Sequence, residues 1–479
     1  MEVNNMIVHE HVPIKNALEY LNRNGLGILF VTDNDFKLLG VITDGDIRRA
    51  ILRNCDISQS VVEIMNTKFT SLPIDSDNSL ILSKINNAIK VIPLVDKSNI
   101  LLDYATINRL RRIPVASPLL SGNELTYVME CINTNWISSQ GKFVREFERV
   151  FSSHHNGFSC LAVSNGTVAL HLALEALGIK AGDEVLVPDL TFAASVNAIL
   201  YTGATPVLID IDPQSWNINT ELLEKYLTHK TKAIMPVHLY GHPCEMNSII
   251  KFAEKHNLFI IEDCAEALGS YYQGKPVGTF GDVSTFSFYG NKTITTGEGG
   301  MVVFKDKKIA ELASTLRDHG MDKNKRYWHS QVGYNYRLTN LQAAIGVAQF
   351  ERLAEFVAAK RRTAMQYNST LSKYDYFQLP VERENCINSY WLYTFLVKES
   401  APFSREELME YLNLKGVETR PVFYPMHIMP PYISYGQPED FTTSKRVSDQ
   451  GMSLPSSVNL TSFELDHICN EINFFCSKY

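Results

Sequence analysis

Apolar residues recur along this chain with two different periods, and the points where the period changes mark its elements. Within residues 1–113 one short pattern occurs twice. Ile14–Asn24 has helical spacing, Gly27–Thr32 and Leu38–Thr43 are apolar runs flanking a polar turn at Asp33–Asp35, and Asp44–Arg53 is helical again. A looser copy follows, with Ser79–Ile89 helical and Val91–Val95 and Ile100–Leu102 extended. A supersecondary unit copied once buries the apolar face of each copy on its neighbour.

The stretch Arg111–Ser121 carries two prolines and reads as a domain boundary. Beyond it, from about Ser117 to Lys360, short runs rich in Val and Ile alternate with helical segments. Cys160–Val163, Val185–Val187, Pro206–Ile211, Ala233–Val237, Phe259–Glu262 and Val283–Phe288 read as buried strands. Thr167–Leu177 and Ala193–Tyr201 read as helices between them. This alternation predicts an α/β architecture, a parallel sheet with helices on both faces. A single long amphipathic helix is predicted over about Asn340–Leu371, leading into a smaller α+β portion that ends at Tyr479. Three domains are expected: 1–113, 114–360 and 361–479.

Length and composition fit that division, since 479 residues exceed one ordinary domain and 45% hydrophobic content can fill large cores. The net charge of −7 comes without a long acidic or basic block, which argues against a nucleic-acid partner. The short clusters Arg109/Arg111/Arg112 and Lys323/Lys325/Arg326 read as solvated loops. Eight cysteines are scattered without a CxxC pair, so neither a metal site nor a disulfide framework is expected. The opening MEVNNMIVHEH lacks the basic and apolar segments of a signal peptide, and no apolar run approaches the ~20 residues of a membrane helix. A cytoplasmic protein with no membrane segment is expected.

Three segments carry candidate chemistry. Ser164-Asn165-Gly166-Thr167 follows a strand and opens a helix, where free N–H groups and the helix dipole suit a phosphate. Taken alone, it fits an ordinary capped helix at least as well. Phe259–Asp263 is a buried strand ending in acid, and ligands of open parallel sheets sit at carboxyl ends of strands. Asp263 could pair with a protonated pyridine nitrogen there, or cap the next helix. Ser287-Phe-Tyr-Gly-Asn-Lys292 places a lysine in a turn dense in Gly and small polar residues. Gly297, Gly299 and Gly300 then lead back into the apolar run Met301–Phe304. A phosphate-binding helix start, a strand-terminal acid and a downstream lysine, in this order, point to pyridoxal phosphate (PLP).

The segments VSNGTVALHLAL, GDEVLVPDLTFAASVNAI, VHLYGHPCEM, IIEDCAEALGSYYQGKPVGTFGD, FSFYGNKTITTGEGGMV and VGYNYRLTNLQAAIG resemble the DegT/StrS-type sugar aminotransferases. That resemblance runs from about Ile113 to Tyr479. It implies the aspartate aminotransferase-like (fold type I) PLP fold with a smaller C-terminal α+β domain. Lys292 is then the catalytic Schiff-base lysine, Asp263 pairs with the ring nitrogen, and Ser287, Gly166 and Thr167 hold the phosphate. Phe192 stacks on the ring face. Glu266 stands near the cofactor's phenolic oxygen, where a carboxylate would oppose a phenolate. The family builds each site across a homodimer interface, and Asn335 matches the residue that reaches the other subunit's phosphate. Tyr327 and His329 in RYWH and Tyr424 and His427 in FYPMH sit in segments similar to the family's substrate-facing loops, and Arg420 could meet a phosphate bidentately. Glutamate is the implied amino donor and a nucleotide-linked keto sugar the acceptor. GNKTITTGEGGMV, RYWH and GYNYRLTN look most like the branch that aminates C4 of GDP-4-keto-6-deoxymannose.

Residues 1–113 resemble a tandem CBS module, an α/β pair, on the strength of GVITDGDIRRAI from Gly40 to Ile51. In such modules Thr43 and Asp46 contact the ribose and phosphate of an adenine nucleotide. The second copy, NILLDYATINRL, keeps Asp103 but lacks the Gly and Thr, so at most one nucleotide site is expected, and a scaffold that binds nothing is the other reading. For the whole chain two further readings compete: a PLP-dependent sugar dehydratase, in which histidine replaces the lysine, and a nucleotide-sensing regulator with an inactive aminotransferase-like domain. Intact Lys292 opposes the first. The joint presence of Lys292, Asp263, Ser287 and Thr167 opposes the second.

Overall fold

The computed structural model describes residues 3–76, 78–86, 88–106 and 113–479. The chain separates into two units, Met1–Ile113 with Asn413–Val417, and Pro114–Leu412 with Glu418–Tyr479. Arg109, Arg111, Arg112, Asn87 and the end of the second CBS-like copy lie outside the described residues.

In the first unit the duplication is structural. β1 (Ile7–His9), α1 (Ile14–Asn24), β2 (Ile28–Thr32), β3 (Leu38–Thr43) and α2 (Asp44–Leu52) form the first copy. The second contains β4 (Leu72–Pro73), α3 (Asn78–Lys84), β5 (Val91–Val95) and β6 (Leu101–Thr106). Each copy is a three-stranded sheet whose first pair is parallel and second antiparallel. The antiparallel register shifts at Val31/Thr32 and again at the matching Leu94/Val95. Each hairpin turns on an aspartate: Asp33 Oδ1 accepts from the N–H of Asp35 and Lys37, and Asp96 Oδ1 from those of Ser98 and Ile100. This is the Asx geometry that lets short polar side chains stand in for backbone in a turn. The two tips meet, with the Leu38 N–H donating to Asn99 O and the Leu101 N–H to Phe36 O. β6 extends four residues beyond the expected Ile100–Leu102, because it pairs along the whole of β5.

The second unit is built on a seven-stranded sheet. Its strands and the helices used below are β7 (Ser159–Val163), α4 (Gly166–Ala176), β8 (Glu184–Pro188), α5 (Ala193–Tyr201), β9 (Thr205–Ile209), β10 (Thr231–Ile234), β11 (Phe259–Asp263), β12 (Val283–Ser287), β13 (Gly300–Phe304), α6 (Asn340–Phe350) and α7 (Leu353–Leu371). The spatial order is β7-β13-β12-β11-β10-β8-β9. Both faces are covered, so the strands read as continuous apolar runs. Leu161, Val163, Val302 and Phe304 enter one core, while Cys160, Ala162, Met301 and Val303 enter the other, the two-residue alternation of a strand.

Two expectations are corrected. The sheet is mixed rather than wholly parallel: β13 runs antiparallel to both β12 and β7, because the glycine-rich segment ahead of it reverses the chain. The long helix over Asn340–Leu371 is two helices, with a corner at Glu351–Arg352. Neither Gly nor Pro marks that corner. Tertiary contacts hold it, with Glu351 accepting from Asn123 Nδ2 and Tyr127 OH, and Arg352 donating to Ser121 Oγ.

The remaining chain adds a four-stranded antiparallel sheet in the order Phe377–Gln378, Tyr393–Val397, Gly451–Leu454, Arg420–Pro421. All eight cysteines are free thiols. Among the described residues, no helix is long and apolar enough to cross a membrane.

Candidate active site

The carboxyl ends of β7, β8, β11 and β12 open on one edge of the sheet, and the chemistry-bearing segments follow those ends. After β7, Asn165 caps α4 by accepting from the Val168 N–H, leaving the first turn of the helix facing the edge. Gly166 approaches Ser287 so closely that an added Cβ would stand 2.8 Å from Ser287 Cβ and 3.1 Å from its Oγ. Gly300, at the start of β13, passes Asn165 O with room for no Cβ (2.6 Å). Gly166, Thr167 and Ser287 thus form a cradle of N–H and hydroxyl donors that side chains would fill. It fits a phosphate.

At the end of β11, Asp263 is 4% exposed. Ser195 Oγ donates to its Oδ2 at 2.8 Å and the Ala265 N–H to its Oδ1 at 3.1 Å. Ser195 is linked in turn to Thr191 Oγ1 at 2.9 Å. Burial raises the Asp263 acid above the ordinary carboxylate range, against the pull of these two bonds. A buried carboxylate whose two hydrogen bonds come from neutral donors fits a cationic partner such as a pyridinium nitrogen. Ser195 was not singled out in the sequence, although it lies three residues after Phe192 on the same helix start.

Beneath Asp263 is a fully buried brace. Glu262 accepts from the N–H groups of Gly278, Phe280 and Gly281 and faces His238 Nε2 at 3.1 Å, while the Cys244 N–H donates to His238 Nδ1. His238, Glu262 and Cys264 bring their potential ligand atoms within 4.8 Å of one another. The hydrogen bonds already occupy both imidazole nitrogens and both carboxylate oxygens, so the cluster works as a structural clamp. The His238 N–H also donates to Asp263 O and fixes the strand end.

Lys292 follows β12, its N–H bonded to Tyr289 O. Its Nζ lies 3.7 Å from Glu266 Oε1, and the other Glu266 oxygen accepts from the Tyr240 N–H at 2.9 Å. Tyr240 holds a positive φ of 51°, which turns that N–H toward the acid. Burial pushes the Glu266 carboxyl up to about 7, although Lys292 pulls it down. Burial also lowers the Lys292 amine, which Glu266 and Asp263 raise. A carboxylic acid near neutral pH removes the repulsion that a carboxylate would exert on a phenolate.

Phe192 is exposed and its ring lies 5.8 Å from Phe423. Phe423 stacks on Tyr240, and Tyr240 on Trp391, so an aromatic row runs across the site. Tyr240 and Trp391 went unnoticed in the sequence because an aromatic residue beside apolar ones reads as ordinary packing.

The other predicted residues are more scattered. Asn335 is exposed on an extended segment beside the end of β7, where Ser164 N–H donates to Tyr336 O. Tyr327, His329 and Tyr424 are exposed, with His329 Nδ1 held by His319 O. Arg420 lies 3.4 Å from Glu418. His427 departs from its expected substrate-facing place. It is 1% exposed, bonded through Nδ1 to Asp189 Oδ2 at 2.7 Å and stacked on Phe441. The pairing with Asp189, at the end of β8, draws it into the core. In the first unit, Asp46 Oδ2 accepts from both Thr43 N–H and Oγ1, and Oδ1 from Arg49, so the Thr43–Asp46 pair is a closed capping box.

Residues 118–473 match the DegT/DnrJ/EryC1/StrS aminotransferase family, and residues 1–53 match the CBS domain. Over 368 residues the chain is 48% identical to GDP-perosamine synthase of Escherichia coli O157:H7, covering 77% of this chain and 100% of that protein. Among solved structures it is similar to the aminotransferase TlmJ from Streptoalloteichus hindustanus, with TM-score 0.72, 30% identity, and coverage of 76% of this chain and 99% of that one. The PLP form of the putative sugar aminotransferase Spr1654 from Streptococcus pneumoniae superimposes with TM-score 0.73 at 26% identity, covering 77% and 98%.

Proposed function

Because the chain belongs to the DegT/DnrJ/EryC1/StrS aminotransferase family, we propose that it moves an amino group from glutamate to a nucleotide-linked 4-keto-6-deoxy sugar, with GDP-4-keto-6-deoxymannose as the acceptor. The chain is a PLP-dependent aminotransferase with a CBS domain at its N-terminus. The likeness to GDP-perosamine synthase over that protein's full length supports the choice of sugar and nucleotide.

Lys292 would hold the cofactor, Gly166, Thr167 and Ser287 its phosphate, Asp263 its ring nitrogen, Glu266 its phenolic side and Phe192 its face. PLP, when bound, supplies the electron sink that lets an amine's α-carbon lose its proton. The observation carrying this reading is the convergence of Lys292, Glu266 and Asp263 beside the Gly166–Ser287 cradle. Lys292 Nζ takes and returns the proton in each half of the reaction. Ser195 keeps Asp263 aimed, and the aromatic row excludes water from the amine. Arg420, Tyr327, His329 and Tyr424 are assigned to the acceptor, and His427 to the fold of the loop that carries Tyr424.

The assignment extends to a cytoplasmic homodimer in which Asn335 serves the phosphate of a second copy of the chain. The catalytic part divides at about residue 360 into a PLP-binding large domain (114–360) and a small domain (361–479). Residues 1–113 form the tandem CBS module, whose candidate adenine-nucleotide site is Thr43 and Asp46.

The test is a pair of half-reactions on the purified holoenzyme. Glutamate should bleach the cofactor's visible band, and one of the GDP-, UDP- or dTDP-linked 4-keto-6-deoxy sugars should restore it. Restoration by the GDP sugar alone names the acceptor. Bleaching with no restoration by any of them would refute the sugar assignment.

A further inference from the structure

A lysine that carries a proton needs somewhere to rest while charged. A short salt bridge would trap the proton or accept it; an aromatic face attracts the cation and cannot take the proton. Lys292 has such a face. Its Nζ lies over the indole of Trp391, 3.7 Å from the ring centroid. The acidic groups that face the amine are Glu266, at the long ion-pair distance of 3.7 Å, and Asp263.

Trp391 is held on several sides. Its Nε1–H donates to the carbonyl of Asn291, the residue before Lys292, at 2.8 Å. Its ring stacks on Tyr240 at 6.0 Å and 10°, the residue whose N–H holds Glu266. Its own carbonyl accepts from Lys360 Nζ at 3.1 Å, and Lys360 also donates to Ser456 O at 2.6 Å. Lys360 is 4% exposed, and no carboxylate pairs with it among the described residues. An amine buried that way is expensive unless it is needed as a donor, and burial lowers it to about 7. Lys360 thus ties α7 to Trp391, which leads into the strand Tyr393–Val397, and to Ser456, which follows the strand Gly451–Leu454.

We propose that Trp391 is a positioning residue for the transamination: it grips the Lys292 loop through the Asn291 carbonyl and offers its π face as the resting place of the free Lys292 ammonium, with Lys360 anchoring it from behind. This rests on Lys292 being the cofactor lysine.

The experiment uses the full chain with Trp391→Leu, which removes both the face and the N–H, and Trp391→Phe, which keeps a face and removes only the N–H. In the apoprotein, the rate at which acetic anhydride labels Lys292 is followed against pH by mass spectrometry. The labelling midpoint should fall by about one pH unit in the Leu variant and stay near wild type in the Phe variant. In the holoenzyme, kcat should fall roughly ten-fold in the Leu variant with KM for glutamate little changed, the mark of lost positioning. A wild-type midpoint and kcat in Trp391→Leu would overturn the proposal. If that variant does not fold, Trp391→Phe decides: reduced kcat at an unshifted midpoint supports the grip on Asn291, and unchanged kcat refutes it. Lys292→Ala separates the two levels. If borohydride still fixes cofactor to that variant, the cofactor-lysine assignment itself fails, whatever Trp391 does.

Discussion

Lys292 Nζ and Glu266 Oε1 stand 3.7 Å apart and largely out of water, an amine and an acid each pushed by burial toward its uncharged form. The two groups form a long ion pair, each favouring the charged form of the other against the pull of burial. Glu266 therefore sets the charge of the site near neutral pH.

Glu266 binds its proton more tightly in the folded chain than in the unfolded one. The stability this provides is fully present below the ordinary value near 4.5 and is lost as the pH rises through about 7. Across that window the wild-type apoprotein should lose stability relative to Glu266→Gln, by at most about 3 kcal/mol. Urea midpoints measured at several pH values check this. Parallel curves for the two proteins would mean that Glu266 titrates as an ordinary acid.

Ser195→Ala should loosen the cofactor without disturbing the fold. Among the described residues it strips Asp263 of its one hydroxyl donor, and it leaves Thr191 Oγ1 unpaired on that side. A lost hydrogen bond to a buried charged group costs about 1.5–3 kcal/mol, so the cofactor's Kd should rise roughly ten-fold or more. Equilibrium dialysis against PLP reads this directly.

Gly166→Ala inserts a methyl group 2.8 Å from Ser287 Cβ, in a place bounded by the backbone of β12. Relief requires α4 and β12 to separate, at about 1–3 kcal/mol. The expected result is a folded protein with weakened affinity for both PLP and inorganic phosphate. Wild-type affinity for both would show that the cradle tolerates a side chain and is not built around an anion.

Thr43→Ala opens the cap of α2 and should cost about 1 kcal/mol, seen in thermal unfolding of the first unit. The same variant tests the nucleotide site. Calorimetry with AMP and ATP should give heat with wild type and none with the variant; silence from wild type would leave residues 1–113 as a scaffold.

Much of this was legible in the sequence. Asp263, Gly166 and Ser287 each sit at a strand or helix end and Lys292 in the turn that follows β12, and such places announce themselves through glycine, acid and hydroxyl residues next to apolar runs. The duplication in residues 1–113 was legible too, because a helical stretch followed by two apolar runs occurs twice; the aspartates on which both hairpins turn show themselves only in the structure. Three things were not. β13 has the same continuous apolar run as the parallel strands of the sheet, since burial on both faces erases direction from the pattern. The corner at Glu351–Arg352 is imposed by Asn123, Tyr127 and Ser121, more than 200 residues earlier in the chain. Trp391 and Lys360 act through contacts between distant segments, and neither has a local signature. His427 shows the converse error: a histidine in a loop rich in aromatics looks reactive, yet Asp189 waits for it in the core.

The reversed strand β13 also governs when the site can exist. It begins at Gly300 and lies between β7 and β12, so the two halves of the phosphate cradle are joined only when it is in place. Asn165 and Ser287 are more than a hundred residues apart along the chain, and contacts of that span form late in folding. A nascent chain ending before Phe304 would hold every cradle residue and no finished cradle. Return of the cofactor's colour during refolding would then time the closing of the sheet.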